Sequence, residues 1–388
     1  MRVFIASDSF KGCMTSKSAN EMMARGIHRA DGSIETDLFV ISDGGEGMTE
    51  AFASAFDAKK STMKTVDLYG RGIHVLWAFD EKTQTACVDA AGMLGLTLYP
   101  RESRHVLDAS SKGLGLVCRE ILKNRKVKRL VIGLGGTGTN DGGMGFAQAF
   151  GMVFYDQNHK VLSACAANLS RIAFIDKRRF TLPGDVELIA ACDVSNHLLG
   201  SKGASHVYGR QKGLKPQQIV RIEEGMRQLN AKIIQTFHVD MNQLAGSGAA
   251  GGLGGMLCGP FGARMMSGIE VLEKGSTMIE RMKKADYLFT GEGQSDAQSA
   301  YGKVVSRIGQ IGKELDIPVI DVSGAIGLGA EKLYDQGVDA IFSTADRAMT
   351  FQSALRHGPE KLENATFNIM RLILAAERKT RHELETAD

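Results

Sequence analysis

The chain reads RLVIGLGGTGTNDGGMGFAQAF from Arg129 to Phe150. Leu130–Leu134 is apolar or β-branched apart from Gly133, the signature of a buried strand. Seven glycines fall in the thirteen positions from Gly133 through Gly145. A backbone that small approaches a ligand closely and turns its amides toward an anion. Asn140 and Asp141 lie inside the tract and offer an amide and a carboxylate to a cation or a hydroxyl. The stretch therefore marks an α/β fold with a small anionic ligand at a strand end.

Gly133, Gly135 and Gly138 also satisfy G-x-G-x-x-G after a strand. Asp156, ending the apolar run Met152–Tyr155, stands where a ribose-binding acid would be expected. That fingerprint needs a sustained helix at its last glycine. Here Asn140, Asp141, Gly142, Gly143 and Gly145 follow, and each glycine costs a helix about 1 kcal/mol. The remaining helix, Met144–Phe150, is too short for a dinucleotide site.

Composition narrows the classes. A chain of 388 residues suits two α/β domains better than one core. Its 46 glycines exceed the usual share of about 7%, so glycine rather than proline punctuates it. Lys+Arg 47 nearly balances Asp+Glu 44, which argues against nucleic acid or a membrane surface as partner. The densest basic run, Lys123–Arg129, reads as a solvated helix end. Six scattered cysteines without a C-x-x-C pair, in a chain that opens directly into a strand, predict a reduced, cytoplasmic protein. The histidines lack metal-ligand spacing.

In chain order, Arg2–Ala6 is a strand ending in Ser7-Asp8-Ser9-Phe10-Lys11-Gly12, and Ser16 caps a helix with Ala19, Met22, Met23 and Ile27 at helical spacing. A second strand, Asp37–Ile41, ends in Ser42-Asp43-Gly44-Gly45-Glu46-Gly47. From Thr65 the texture alternates (Val66–Tyr69, Ile73–Phe79, Thr85–Asp89), which predicts antiparallel strands. A helix over Ser110–Asn124 leads into the Arg129 strand. Glu187–Ala191 ends in Cys192-Asp193-Val194-Ser195-Asn196, and Pro216–Phe237 is a long amphipathic helix. Gly246–Gly255 reads as a flexible linker or as a closely packed helix start. Ala285–Thr290 ends in Gly291-Glu-Gly-Gln-Ser-Asp-Ala-Gln-Ser-Ala-Tyr-Gly-Lys303, with Lys303 opening a helix and its ammonium beside free amides. This is not a Walker A loop. Ile317–Ser323 and Ala340–Ser343 are further strands, and Pro359–Arg378 is the closing helix.

The βα rhythm at both ends, broken by an alternating middle, predicts one α/β domain over 1–64 and 285–388 interrupted by a mixed α/β domain over 65–284. The site is expected in the cleft between them. Glycine-rich amides, lysines and carboxylates collected at strand ends are what phosphoryl transfer uses. A nucleophilic hydrolase would need an elbow serine or cysteine with a histidine, and none is present.

Ser7-Asp8-Ser9-Phe10-Lys11, Ser42–Gly47, Ile132–Gly143, Ala191–Val194 with Asn196, Gly203-Ala-Ser205, Gln211-Lys-Gly213, Gly246–Gly254, and Gly291-Glu-Gly293 with Asp296, Gln298, Gly302 and Lys303 together resemble the bacterial glycerate kinases of the first family. The resemblance is collinear from Arg2 to Ser343. It implies a two-domain glycerate-kinase-like fold in which a Rossmann/flavodoxin-like parallel-sheet domain is interrupted by a second domain. It implies an ATP- and Mg²⁺-dependent kinase acting on a small hydroxy acid, D-glycerate to 2-phosphoglycerate, with no nucleic-acid or membrane partner and compatible with a homo-oligomer. Gln294 stands where the family carries arginine after G-E-G, removing a permanent charge. Asp89 replaces a usual glutamate, and His197 and Arg210 replace prolines.

On that resemblance, Asp193, Lys11 and Lys303 are the expected catalytic residues, with Asp193 activating the hydroxyl. Ser9, Asp43, Gly44, Gly45, Glu46, Gly135, Gly136, Thr137, Asn140, Asn196, Lys212, Gly291, Glu292, Gly293 and Gln298 are the expected substrate and phosphate ligands. Asp141 and Asp296 are the expected Mg²⁺ ligands. A non-catalytic hydroxy-acid sensor and a nicotinamide-dependent oxidoreductase are the competing functions.

Overall fold

Arg2–Ile5, Glu35–Leu38, Tyr287–Thr290, Val319–Ser323 and Ala340–Ser343 form an all-parallel sheet in the computed structural model, which describes residues 1–124, 126–300 and 303–385, with side chains through Lys379. Arg125 of the basic run and Gly302 of the lysine loop lie outside the described residues. From edge to edge the order is Glu35–Leu38, Arg2–Ile5, Tyr287–Thr290, Val319–Ser323, Ala340–Ser343. Counted along the chain within this sheet the order is 2-1-3-4-5, the flavodoxin-like arrangement. Its order reverses between the first and third strands, the point where such sheets bind ligands.

These strands carry apolar runs because helices cover them. Val3, Ile5, Phe289 and Val322 are fully buried with Met23, Ile27, Leu362 and Met370 from the helices Ser16–Ala30 and Phe351–Glu385. The two helices touch closely at Gly26, where a Cβ would lie 2.4 Å from Glu363 O. The first helix is capped by Thr15, whose hydroxyl accepts from Ser18 N at 3.2 Å, not by Ser16 as the sequence suggested. Ser16 Oγ is occupied instead by Ser7 O and Ile41 N. The closing helix starts at Phe351 and runs through Pro359. Proline cannot donate to the carbonyl four residues back, and that carbonyl, Leu355 O, accepts from the Cys13 thiol at 3.1 Å.

Six strands build the second sheet, in the order Arg264–Met266, Glu187–Ala191, Arg129–Gly133, Thr85–Asp89, Gly72–Asp80, Lys59–Val66. The first four are mutually parallel, and the last two add antiparallel pairing at one edge. A small antiparallel pair, Val153–Tyr155 with Phe174–Asp176, stands apart from it. Leu130, Ile132, Met144, Phe146, Met226, Leu229 and Met256 lie in its continuous core. Gly246–Gly255 is part of this packing and not a linker: a Cβ on Gly251 would come within 2.2 Å of Thr139 O.

The chain divides into two compact units, Met1–Ser42 with Leu272–Asp388, and Asp43–Val271. The expected boundary after residue 64 would cut the strand Lys59–Val66, which pairs along its whole length with Gly72–Asp80. Lysines at 59, 60 and 64 give that edge strand a polar texture, which conceals it in the sequence. Val66–Tyr69, expected as a strand, supplies only its last residue and then turns, with Asp67 Oδ1 accepting from Tyr69 N and Arg71 N. At the other boundary, Arg281 bonds Asp37 and Leu38 O, which ties the helix Met278–Met282 to the first sheet. Among the described residues no helix is long and apolar enough to cross a membrane.

Candidate active site

In the first unit the loops leaving the first and third strands meet at the reversal of strand order. Asp8 N donates to Gly291 O at 2.8 Å, and a Cβ on Gly293 would lie 3.5 Å from Lys11 N. Ser9 N bonds the Asp8 carboxylate. Gly291 must be glycine, because a Cβ would meet Val322 O at 2.3 Å. Lys303 occupies the N-cap of the helix Val304–Leu315, as the sequence indicated.

Glu292 is the centre of this cluster. Burial raises its pKa above the ordinary carboxyl range; a Ser299 hydrogen bond and the charges of Lys303 and Lys11 oppose that rise, while Asp296 adds to it. One of its oxygens, Oε1, is buried and receives no protein hydrogen bond. A buried acceptor without a donor calls for a ligand, a cation or water. Asp296 accepts from Gln298 N at 2.8 Å and from Gln294 Nε2 at 3.1 Å. Gln294 is thus spent on its own loop, and the Gln298 side chain is exposed.

In the second unit the parallel strands deliver Asp89, the Gly133–Thr137 turn and Asp193 to one sheet edge. The loop Asp43–Gly47 closes against them. Gly135 N donates to Gly44 O at 3.2 Å, and Cβ atoms on Gly44 or Gly135 would meet Ala191 O at 2.7 Å or Gly45 Cα at 2.5 Å. Three bare backbones therefore share a space that side chains would fill. Glu46 and Gly136 are exposed beside one another, and Thr137 is buried. Asp43 Oδ1 accepts from Gly45 N, and Asp193 Oδ1 from Gly268 N at 3.2 Å. Both acids act on the Cys192 thiol, whose pKa is pushed up to about 12, chiefly by burial. Asp89 anchors this edge: its two oxygens accept from Gly47 N at 3.0 Å and Thr49 N at 2.7 Å, at the start of the helix Met48–Phe56.

Other expected ligands are consumed internally. The buried Asp141 carboxylate receives Ser111 N, Ser111 Oγ, Gly143 N and Gly145 N at 2.8 to 3.2 Å. Those four donors fill its lone pairs, so it is a brace between two helix starts and does not fit the metal role expected of it. Lys212 is buried and donates to Thr139 O. Asn196 donates to Lys202 O and accepts from Tyr208 Oη. Asn140 donates to Ser205 Oγ while its buried Oδ1 receives no hydrogen bond.

The sequence reading passed over Asp321, fully buried under the Glu292 loop and bonded by Ser295 and Ser323. Its signal was there: a lone acid inside the apolar run Pro318-Val-Ile-Asp-Val322. Among the described residues no group of three or more histidines, cysteines or acids is placed to hold a metal. The dinucleotide fingerprint lacks its helix: Gly142 and Gly143 have φ of +63° and +75°, and the following helix, Met144–Ala149, has six residues.

Residues 3–374 match the family model described as the glycerate kinase family. A glycerate kinase of Halalkalibacterium halodurans is 33% identical over 368 residues, 95% of this chain and 97% of the relative. The glycerate 2-kinase of Escherichia coli K12 is 30% identical over 375 residues, 95% and 97% of the two chains. A crystallised Salmonella typhimurium LT2 protein assigned as a glycerate kinase 2 superposes with a TM-score of 0.79 at 30% identity, covering 97% of this chain and 99% of that one. A family match over nearly the whole length, with lysines, acids and bare glycines collected at the strand ends of both units, leads to one conclusion: the chain belongs to the glycerate kinase family.

Proposed function

We propose that this chain transfers the γ-phosphoryl group of ATP to the 2-hydroxyl of D-glycerate. The observation that carries the reading is the Glu292 cluster at the reversal of strand order, where Lys11 and Lys303 act on one carboxylate whose buried Oε1 receives no protein hydrogen bond. Two ammonium groups and a helix N-terminus suit polyphosphate oxygens. The glycerate assignment rests on the names of the similar proteins, and the 2-hydroxyl on the E. coli relative.

In this reading Lys11 and Lys303 neutralise phosphate charge, and the amides of Gly291 and Gly293 orient phosphoryl oxygens. In the second unit, Asp193 accepts the hydroxyl proton as the oxygen attacks phosphorus, and the amides of Gly44 and Gly136 hold substrate oxygens. Mg²⁺ fits the first unit at Glu292 Oε1, which lacks a donor, with Asp296 near. Bound there, Mg²⁺ would be held by Glu292 and Asp296 and would supply positive charge to offset that of the phosphates. Six free thiols support a reduced, cytoplasmic setting.

The test is coupled ADP release across small hydroxy acids, with and without Mg²⁺, and phosphorus NMR of the product. Mg²⁺-dependent release with D-glycerate and a 2-phosphoglycerate signal is expected. ADP release with another acid only would overturn the substrate assignment, and a 3-phosphate signal the regiochemistry.

A further inference from the structure

Beneath the Glu292 loop three side chains close on each other inside the first sheet. Asp321, Ser295 and Ser323 are all fully buried. Ser323 Oγ lies 2.6 Å from Asp321 Oδ1, Ser295 Oγ 2.7 Å from Asp321 Oδ2, and the two hydroxyls 2.8 Å from each other. Ser323 Oγ also accepts from Glu292 N at 3.0 Å. The surrounding backbone repeats the connection: Gly324 N bonds Glu292 O, Ser295 N bonds Ala325 O, and Gly327 N bonds Ser295 O.

Counting protons across this triangle fixes its chemistry. There are three oxygen–oxygen contacts of hydrogen-bond length, and two serine hydroxyls bring only two hydrogens. With an ionised carboxylate two hydrogens serve three contacts, so one pair of oxygens is left facing lone pair to lone pair whichever way the serines turn. With a protonated carboxyl the ring closes: the acid donates to one serine, that serine to the other, and the second back to the acid. Burial favours the same neutral form. Glu292 is the charged group acting on Asp321, and an acid disfavours a second negative charge nearby.

We propose that Asp321 is a positioning residue for phosphoryl transfer, its neutral carboxyl closing a ring with Ser295 and Ser323 that fixes Ser323 Oγ as the acceptor for the Glu292 amide. The ring sets where the Gly291–Gly293 amides and the Glu292 carboxylate stand. Asp321 itself touches no substrate. The kinetic part of this inference rests on the kinase reading; the protonation part does not.

The test uses the full-length chain with Asp321→Asn, Asp321→Ala and Ser323→Ala. Asparagine supplies the hydrogen that the neutral acid supplies, so D321N is expected to keep kcat near wild type. D321A and S323A are expected to lose about 10²-fold in kcat, the scale of a small misplacement of catalytic groups, with KM for the hydroxy acid little changed. Infrared difference spectra of wild type minus D321N are expected to show a protonated-carboxyl stretch at neutral pH. Wild-type kcat in folded D321A or S323A would overturn the positioning role. Absence of the carboxyl band, with D321N as impaired as D321A, would overturn the neutral ring. Should D321A fail to fold, S323A carries the kinetic comparison alone. A wild type without turnover on any hydroxy acid would count against the kinase reading only, and the infrared band would still decide the ring.

Discussion

Lys212 Nζ lies 2.6 Å from the main-chain oxygen of Thr139, inside the second unit. The ammonium is buried, and burial pushes its pKa down to about 7, with Asp141 pulling the other way. An unfolded lysine titrates near pH 10.4. Between about pH 7 and pH 10 the unfolded chain therefore binds the proton more tightly, and stability rises with pH across that window. Lys212→Met is expected to abolish this rise, which urea unfolding at pH 7 and pH 9.5 would detect. A wild type whose unfolding midpoint is flat over this range would contradict it.

Asp141 shows how a carboxylate in a glycine tract can hold structure rather than substrate. Asp141→Ala leaves Ser111 N, Gly143 N and Gly145 N buried without acceptors, each costing about 1–3 kcal/mol. A thermal unfolding midpoint lowered by many degrees is expected. Asp141→Asn, assayed where it stays folded, is expected to keep the wild-type Mg²⁺ dependence of ADP release. A strongly raised Mg²⁺ requirement at unchanged stability would return Asp141 to the metal site.

Much of this was legible because strand ends announce themselves. Pro216–Phe237 and Ala340–Ser343 have the bounds their periodicity predicts, and Lys303 caps its helix as expected. What stayed hidden follows one rule: a residue type states its chemistry but not its partners. Asp141, Asp193 and Glu292 look alike in the sequence, yet the first is saturated by four donors while Glu292 keeps an oxygen without one. Lys59–Val66 was missed because its exposed face is lysine-rich, and Asp321 because an acid in a buried strand reads as an interruption. Thr15 and Ser16 are equally good caps by composition, and only the competing bond from Ser16 to Ser7 O separates them.

Asp89 predicts the opposite pH slope to Lys212. Burial raises its pKa to about 7, outweighing the hydrogen bonds from Thr49 and Gly47 that favour the charged form. Between about pH 4, where an unfolded aspartate titrates, and pH 7 the folded chain holds a proton that the unfolded chain has released. Stability therefore falls as pH rises through this window and levels off above it, by a few kcal/mol at most for one group. Asp321, also raised to about 7, adds to the same fall. Asp89→Asn is expected to make the decline shallower in urea titrations from pH 4.5 to 8. An unchanged slope would mean that Asp89 is ionised in the fold.

Asp193 and Lys303 separate the two halves of the proposed chemistry. Asp193 is half-buried with Oδ1 on Gly268 N, so Asp193→Asn preserves shape while removing a proton acceptor. A loss of about 10²–10⁴ in kcat is expected, with KM for ATP near wild type. Lys303 stands at a helix N-cap and acts on Glu292. Lys303→Ala removes charge stabilisation where phosphate oxygens are proposed to sit, and a loss of about 10²–10³ in kcat is expected, together with a raised KM for ATP. Steady-state kinetics with each substrate varied in turn distinguishes the two patterns. Near-wild-type turnover in either variant would remove that residue from the mechanism, and a raised KM for glycerate alone in Lys303→Ala would move the lysine from phosphate to the acid substrate's carboxylate.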